Sequence, residues 1–296
     1  MPLEQLKFCD LCGSDHLAIH DESADISRCS SCGYMFDNPR PCTGDIIAYY
    51  SSAGKFDPWL DEEEGRDILW RRRLSKVTDY VSGGRLLDVG AGIGQFLHHA
   101  KNHFVVDGTE VSAEAVRLAE DRYGVKVSQC RLEESAEFEA ESFDCVTMTH
   151  VLEHVPSPSE TLRKCHALLK DGGYLFVAVP NDEFAFWRHG GVLKYVVKRI
   201  LAAGGVRRFK KLVRFEKIVL DPAVQTEIHL SHFTGSTLEK FVKRCGFEIV
   251  ENTLDPYYSA TGFNLFLKHL RFTFYLAVKK LLRHNFYETI LIIGRK

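Results

Sequence analysis

The chain has 296 residues, of which 45% are hydrophobic and 26% are charged, the balance of a globular protein rather than a disordered or membrane-embedded one. Its 38 lysines and arginines nearly match its 40 aspartates and glutamates, which excludes a surface that is basic throughout and leaves only a local basic patch for nucleic acid. The start carries no signal peptide pattern, and lysines and arginines interrupt the most apolar stretch, residues 263–282. We therefore expect a cytoplasmic protein whose nine cysteines are thiols or metal ligands.

Residues 1–42 are rich in cysteine and in turn-forming residues, and we predict that they form a small module. The segments 9–13 and 29–33 are two C-x2-C-G knuckles. Their spacing fits one tetrahedral zinc site made by the thiolates of Cys9, Cys12, Cys29 and Cys32, with iron as the alternative metal. A site closed in this way supports folding rather than chemistry, and a segment this short needs it. The pattern predicts a zinc-ribbon-like module.

Residues 43–84 are predicted to be a linker and a leading amphipathic helix, whose arginines 71–73 we interpret as a solvated face. The main domain, residues 85–296, alternates strands with helices. Strands are predicted at 86–89, 104–106, 125–127, 143–148, 174–179, 248–253 and 289–293, and helices at 93–103, 112–123, 157–169, 237–245 and 264–282. This order predicts an α/β fold with a doubly wound, mostly parallel, seven-stranded sheet. A basic insert at about 182–230 interrupts it.

A glycine loop, Asp-Val-Gly-Ala-Gly-Ile-Gly, occupies residues 88–94 between the first predicted strand and its helix. Glycines there let the backbone turn and approach a ligand, and the helix behind them offers free N–H groups. The dinucleotide fingerprint would need a glycine where Gln95 stands. Glu110, after the second strand, could accept hydrogen bonds from both hydroxyls of a ribose. The alternative is that Glu110 and Ser112 only cap a helix.

This loop resembles motif I of class I S-adenosylmethionine-dependent methyltransferases. Residues 130–133 follow the third strand, where that family surrounds the adenine, and residues 150–155, His-Val-Leu-Glu-His-Val, resemble a segment of the ubiquinone-biosynthesis O-methyltransferases. The resemblance covers about residues 66–181 and parts of 229–296. It implies S-adenosylmethionine as the cofactor, held by Asp88, Gly90, Ala91, Gly92, Gly94, Glu110, Val111, Leu132, Glu133 and His150.

The acceptor is less defined by the sequence. The knuckles, followed by Asn-Pro-Arg-Pro at 38–41 and by Tyr49 and Tyr50, resemble the head of bacterial methyltransferases that act on sugars, polysaccharides or natural-product intermediates. This resemblance implies O- or C-methylation of a small-molecule, lipid-linked or nucleotide-linked acceptor. A zinc-headed RNA methyltransferase and a non-catalytic binding module with the same fold are the alternatives. Nucleic acid is the less favoured partner.

Histidines supply the candidate catalytic residues. The sulfonium already activates the methyl group, so the protein must orient the acceptor and, where needed, remove a proton. His154 and His150 follow the fourth strand and are the candidate bases, with His150 alternatively touching the cofactor. We expect His229 and His232 to close over the same side. The basic insert is predicted to contact phosphate groups of the acceptor or a membrane surface, or else to be a solvated lid.

Overall fold

A computed structural model describes residues 3–50, 62–183, 217–221 and 227–296. In chain order the strands are β1 (Leu3–Glu4), β2 (Leu17–Asp21), β3 (Ile26–Cys29), β4 (Met35–Asp37), β5 (Arg40–Pro41), β6 (Arg85–Val89), β7 (Val105–Glu110), β8 (Ser128–Gln129), β9 (Phe143–Thr149), β10 (Leu169–Pro180), β11 (Ser231–His232), β12 (Glu248–Thr253) and β13 (Thr289–Arg295). The α-helices are α1 (Thr43–Tyr50), α2 (Glu63–Thr78), α3 (Gln95–Ala100), α4 (Ala113–Tyr123), α5 (Pro158–Leu168), α6 (Gly235–Arg244) and α7 (Gly262–Leu282).

The main sheet has seven strands in the order β8-β7-β6-β9-β10-β13-β12, and only β13 runs against its neighbours. This confirms the predicted doubly wound, mostly parallel α/β sheet. Helices cover both faces of such a sheet, so its central strands are buried throughout. Leu86 and Leu87 of β6 and Val146 of β9 are fully buried. The carboxyl ends of β6, β7 and β9 meet at one edge, which is where ligands bind in open α/β sheets.

Capping side chains and left-handed glycines set the ends of helices α4 and α3. Helix α4 starts after Ser112, whose hydroxyl accepts a hydrogen bond from the backbone N–H of Ala115, and it ends at Gly124 in the left-handed conformation. Helix α3 starts at residue 95, two residues later than predicted, because Gly94 has a φ of +80°, outside the helical range. The third strand pairs only at 128–129, and the predicted residues Val125 and Val127 precede it and pack into the core.

The leading helix corrects one expectation from the sequence. Arg71 is exposed, as predicted for a solvated face, but Arg73 is buried and faces the inside of the molecule. The helix also begins five residues earlier than the apolar pattern that starts at Ile68. The pattern of apolar residues placed all three arginines on the outside, because a sequence pattern does not show which arginine has a buried carboxylate partner.

The N-terminal module shares its sheet with the main domain. Strands β2, β3 and β4 form an antiparallel sheet, and β11, nearly two hundred residues later in the chain, pairs with β4 as its fourth strand. The hydroxyl of Tyr34 lies 2.6 Å from that of Ser231, and the Tyr34 ring packs edge-on against Phe241 of α6. The module and the main domain therefore have one continuous hydrophobic core.

The predicted insert at 182–230 falls mostly outside the described residues, and with it most of the basic positions between 188 and 217. Lys217, which belongs to the described residues 217–221 of the insert, forms an ion pair with Asp25 at 2.6 Å. Among the described helices, none is long and apolar enough to cross a membrane.

Candidate active site

A cavity of about 520 Å³ opens at the carboxyl ends of β6, β7 and β9. Its size is that of a small-molecule site. Of the residues predicted to hold the cofactor, those lining the cavity are Asp88, Gly90, Ala91, Gly92, Glu110, Val111, Leu132, Glu133 and His150, and His154 lines it too. The fold thus brings together residues from four separate segments of the sequence.

Glu110 ties the glycine loop to the next strand. One carboxylate oxygen accepts hydrogen bonds from the backbone N–H groups of Val111 and Ser112 at 2.7 and 2.9 Å. The other accepts one from the N–H of Gly92 at 3.0 Å. Burial raises the pKa of Glu110, and these three donors oppose the rise. The carboxylate oxygens have further lone pairs for a ligand, so the helix-entry role and the ribose role are compatible.

Gly90 and Gly94 serve different purposes in the loop. A Cβ on Gly90, whose φ is +69°, would lie 2.4 Å from a methyl carbon of Val151, so only glycine fits between the loop and the segment that follows β9. Gly94 does not line the cavity. A Cβ there would lie 2.5 Å from Val125 and 2.9 Å from the Cβ of Ala119, which makes Gly94 a packing position under α4 rather than a ligand contact.

Asp88, the last polar residue of β6, accepts a hydrogen bond from the hydroxyl of Thr147 at 2.7 Å. Burial raises the pKa of Asp88 to about 7, against the opposing effect of that bond and of Arg73. A carboxyl group that titrates near neutrality beside the glycine loop is the kind of perturbed group found at functional sites.

Helix α2 forms a wall of the cavity that sequence reasoning missed. Arg66, Trp70 and Arg73 line it. The guanidinium of Arg66 and the indole N–H of Trp70 both donate to the side-chain oxygen of Gln95, at 3.0 and 3.2 Å. In the sequence, Gln95 had only excluded the dinucleotide fingerprint, and its contact with Arg66 and Trp70 was not predicted. The signal available in the sequence was the spacing of residues 66, 70 and 73, which places them on one face of a helix.

Arg73 and His150 meet at Asp255, a residue of the segment after β12 that the sequence did not single out. Arg73 donates from Nε to Asp255 at 3.0 Å and makes a second bond from Nη2. His150 Nε2 lies 3.4 Å from the same carboxylate, and its Nδ1 lies 3.4 Å from Glu153. Burial alone would lower the pKa of His150, but the two carboxylates outweigh it and raise the pKa. The two carboxylates therefore favour the protonated form of His150.

His154 sits in a different environment. Its Nδ1 lies 2.5 Å from the backbone carbonyl of Ile228 and 2.9 Å from the hydroxyl of Tyr50. A carbonyl accepts but cannot donate, so Nδ1 carries the proton and Nε2 keeps its lone pair. Nε2 lies 3.8 Å from Glu153, whose carboxylate is buried. An imidazole arranged in this way can accept a proton and be stabilised as a cation by the carboxylate behind it.

His229 and His232 lie in different places in the fold. The His229 ring lies 5.0 Å from the His154 ring, as expected for a residue that closes over this side. The expectation for His232 was wrong, because it is fully buried in the module interface. Its Nε2 lies 2.9 Å from Asp37 and its Nδ1 lies 3.4 Å from Asp182. Its spacing of three residues from His229 could not show that β11 carries it into another sheet.

Residues 130–133, which the sequence predicted to lie near the adenine, line one part of the cavity. Leu132 is buried, and Glu133 contacts the hydroxyl of Thr161 and lies 3.4 Å from Arg131. Cys130 also lines the cavity.

The four knuckle cysteines come together in the N-terminal module. The sulfur atoms of Cys9, Cys12, Cys29 and Cys32 lie within 4.8 Å of one another, and the pairs Cys9–Cys32 and Cys12–Cys29 are 3.5 Å apart. Zinc bonds of ~2.3 Å to sulfur in a tetrahedron require separations of about 3.8 Å. The cluster fits a tetrahedral metal site.

The module contacts the start of helix α5 through Asp10, which lies within the first knuckle. Its carboxylate accepts hydrogen bonds from the hydroxyls of Ser157 and Ser159 and from the N–H of Ser159, at 2.8–2.9 Å. It thereby caps helix α5, which begins four residues after His154.

A sheet in this order, with a glycine loop and an acid at the ends of its first two strands, defines the class I methyltransferase fold. The chain matches the family described as methyltransferase domain over residues 64–252, and it belongs to that family.

Several known proteins are similar to this chain. It is 29% identical over 163 residues to a ubiquinone biosynthesis O-methyltransferase of Pseudomonas aeruginosa, covering 53% of this chain and 63% of that protein. A protein of the same description from Xanthomonas oryzae is 31% identical over 186 residues, covering 57% and 77%. The chain thus spans less than two thirds of the Pseudomonas protein. A SAM dependent methyltransferase structure from Archaeoglobus fulgidus has a TM-score of 0.51 at 19% identity, covering 81% of this chain and all of that one, which is a likeness of fold.

Proposed function

We propose that the chain transfers a methyl group from S-adenosylmethionine to a hydroxyl or an acidic carbon of a small-molecule acceptor. The observation that carries this proposal is the cavity itself, which the glycine loop, Glu110 and His154 line together. S-adenosylmethionine supplies an electrophilic methyl group when it is bound. The residues of the chain then have to hold two ligands and accept one proton.

In this proposal the cofactor lies along the carboxyl ends of β6 and β7. Glu110 accepts hydrogen bonds from the ribose hydroxyls, Leu132 and Glu133 face the adenine, and the loop at 90–92 gives close backbone contact. Arg66 and Arg73 supply positive charge on the opposite wall for the carboxylate of the amino acid part. Asp88 stands near the same end, where a carboxyl group can accept a hydrogen bond from the amino group.

His154 is the proposed base, and His150 the proposed positioning residue. Both ring nitrogens of His150 face carboxylates of the protein, Nδ1 towards Glu153 and Nε2 towards Asp255, so neither is directed at an acceptor. His154 keeps a lone pair on Nε2 and has Glu153 to stabilise the cation that forms. Proton removal of this kind contributes ~10²–10⁴-fold to a rate.

The acceptor side is mostly apolar. Helix α1 contributes Ile46, Ile47 and Tyr50, and Val155 and Pro156 continue the same wall. Such a wall supports an acceptor with an apolar body, such as a natural-product intermediate or a lipid-linked saccharide, more than a long RNA strand. The O-methyltransferases named above support a hydroxyl as the methylated group. We further propose that the cysteine cluster holds one structural zinc ion.

The cofactor is tested by calorimetry with S-adenosylhomocysteine. The variant Glu110→Gln should bind about tenfold to a hundredfold more weakly, because a charged hydrogen-bond acceptor is lost. The variant Glu120→Gln, on an exposed position of α4, is the matched control and should bind like the wild type. Equal affinity in all three proteins, or none in the wild type, would overturn the cofactor assignment.

The base and acceptor are tested by following labelled methyl groups into the low-mass and RNA fractions of a bacterial extract. Label should enter the low-mass fraction. His154→Gln should lower the rate by about 10²-fold or more while leaving S-adenosylhomocysteine affinity unchanged. Label in RNA would favour the zinc-headed RNA methyltransferase instead.

A further inference from the structure

Helix α7 presents an apolar face to the solvent. It runs from Gly262 to Leu282, and none of its residues is fully buried. The large apolar residues Phe263, Leu267, Leu270, Phe274 and Leu281 are exposed by 46–82% of their surface. They follow one another at spacings of four, three, four and seven residues, so they form a single stripe along the helix.

The opposite face already packs on the main domain. The Phe272 ring lies 5.5 Å from that of Tyr287 and 6.1 Å from that of Tyr258, and the Tyr275 ring lies 5.8 Å from Tyr287. The exposed stripe is therefore not needed to attach the helix. A surface helix normally turns its apolar side to the core, and a continuous apolar patch on the outside marks an interaction surface.

The charges beside the stripe are of one sign. From 262 to 283 the sequence contains five lysines and arginines and no aspartate or glutamate. Arg271 pairs with Glu288 at 2.5 Å, and Lys279 donates to the side chain of Asn252. Lys280 immediately precedes Leu281, and Arg283 follows the last turn, so positive charge adjoins the stripe at its C-terminal end.

We propose that α7 docks on an anionic lipid surface, lying in the plane of the interface with its stripe among the upper acyl chains. An apolar stripe bordered by cations is the pattern of such helices, and this one is not apolar enough to cross the bilayer. The same heptad-like spacing would also fit a second copy of the chain. Charge favours the lipid, because two copies would bring like-charged helices together. This inference does not rest on the proposed methyl transfer.

Flotation with lipid vesicles tests the docking. The full chain should float with vesicles of phosphatidylcholine and phosphatidylglycerol, and much less with phosphatidylcholine alone. The variant Leu270→Glu/Phe274→Glu should reduce the partition coefficient by about tenfold or more, because it places charge where two side chains insert. The matched control Ile19→Glu/Val105→Glu changes two exposed apolar residues outside α7 and should float like the wild type. Lys280→Gln/Arg283→Gln should weaken binding to the anionic vesicles only.

Three results would overturn the proposal: no flotation of the wild type, equal loss in both glutamate double variants, or a dimer that dissociates in Leu270→Glu/Phe274→Glu without any vesicle binding. The last result would assign the face to a second copy. S-adenosylhomocysteine affinity should be unchanged in the α7 variants, which separates this test from that of the cofactor site. Leu281→Glu, at the most exposed position, repeats the test if the double variant unfolds.

Discussion

The buried His232 should make the stability of the protein fall as pH rises above neutrality. His232 on β11 lies between Asp37 of the N-terminal module and Asp182 at the end of β10. Burial would lower the pKa of His232, but the two carboxylates outweigh it and raise the pKa to about 9. Burial also raises the pKa of Asp37 although His232 opposes this. We assign the charge to His232, because two carboxylates face it at once.

The sign and size of the effect follow from proton linkage. Between the ordinary histidine value of 6.5 and about 9, the folded protein keeps a proton on His232 that the unfolded chain releases. The free energy of unfolding therefore falls by ~1.36 kcal/mol per pH unit. Burial lowers the pKa of Lys279 to about 8, and this group acts in the opposite direction above that pH. From pH 6.5 to 8 the His232 contribution should fall by about 2 kcal/mol.

The assay is urea unfolding at several pH values in this range, for the wild type and for Asp37→Asn. Asparagine keeps the size of the side chain and removes one of the two charges, so the pKa of His232 should drop and the slope should flatten. Groups elsewhere, such as Asp88 and His150, contribute equally to both proteins and cancel. Parallel slopes, or a nuclear magnetic resonance titration that finds His232 near 6.5, would refute the reasoning.

Two further predictions concern the N-terminal module. Asp10→Ala should lower the free energy of unfolding by about 1–2 kcal/mol in thermal or urea melts, because helix α5 loses its cap, whereas the exposed Asp15→Ala should have little effect. Purified protein should contain about one zinc ion per chain by elemental analysis, and Cys29→Ser should release it and lower the melting temperature. A full zinc content in Cys29→Ser, or none in wild type purified without chelators, would contradict the tetrahedral site.

The parts of the fold that could be predicted from the sequence are those with local signals. The strand β12 occurs at 248–253 as predicted, and α4 begins and ends at its predicted caps, Ser112 and Gly124. The spacing between the glycine loop and Glu110 also predicted that the two lie close together. A strand, a loop and a helix that follow one another bring the end of the next parallel strand beside the loop. The glycine loop and Glu110 both line the cavity, as the sequence predicted.

The parts that could not be predicted depend on contacts between distant residues. Nothing near Asp255 in the sequence shows that it will face Arg73, 182 positions earlier. The two residues of β11 are too few to form a periodic pattern, and they become a strand only because β4 offers an unpaired edge. An arginine on a helix looks the same in sequence whether it faces water or a buried carboxylate.

These distant contacts explain why the two histidines of one short segment differ in chemistry. His150 and His154 are four residues apart and share Glu153 as a neighbour. His150 has a second carboxylate neighbour in Asp255, whereas His154 contacts the carbonyl of Ile228, which places the proton of its neutral form on Nδ1. Residues 228 and 255, far from this segment in the sequence, therefore give the two histidines different surroundings. We expect Asp255→Asn to lower the pKa of His150 in a nuclear magnetic resonance titration, because one of its two carboxylate neighbours loses its charge.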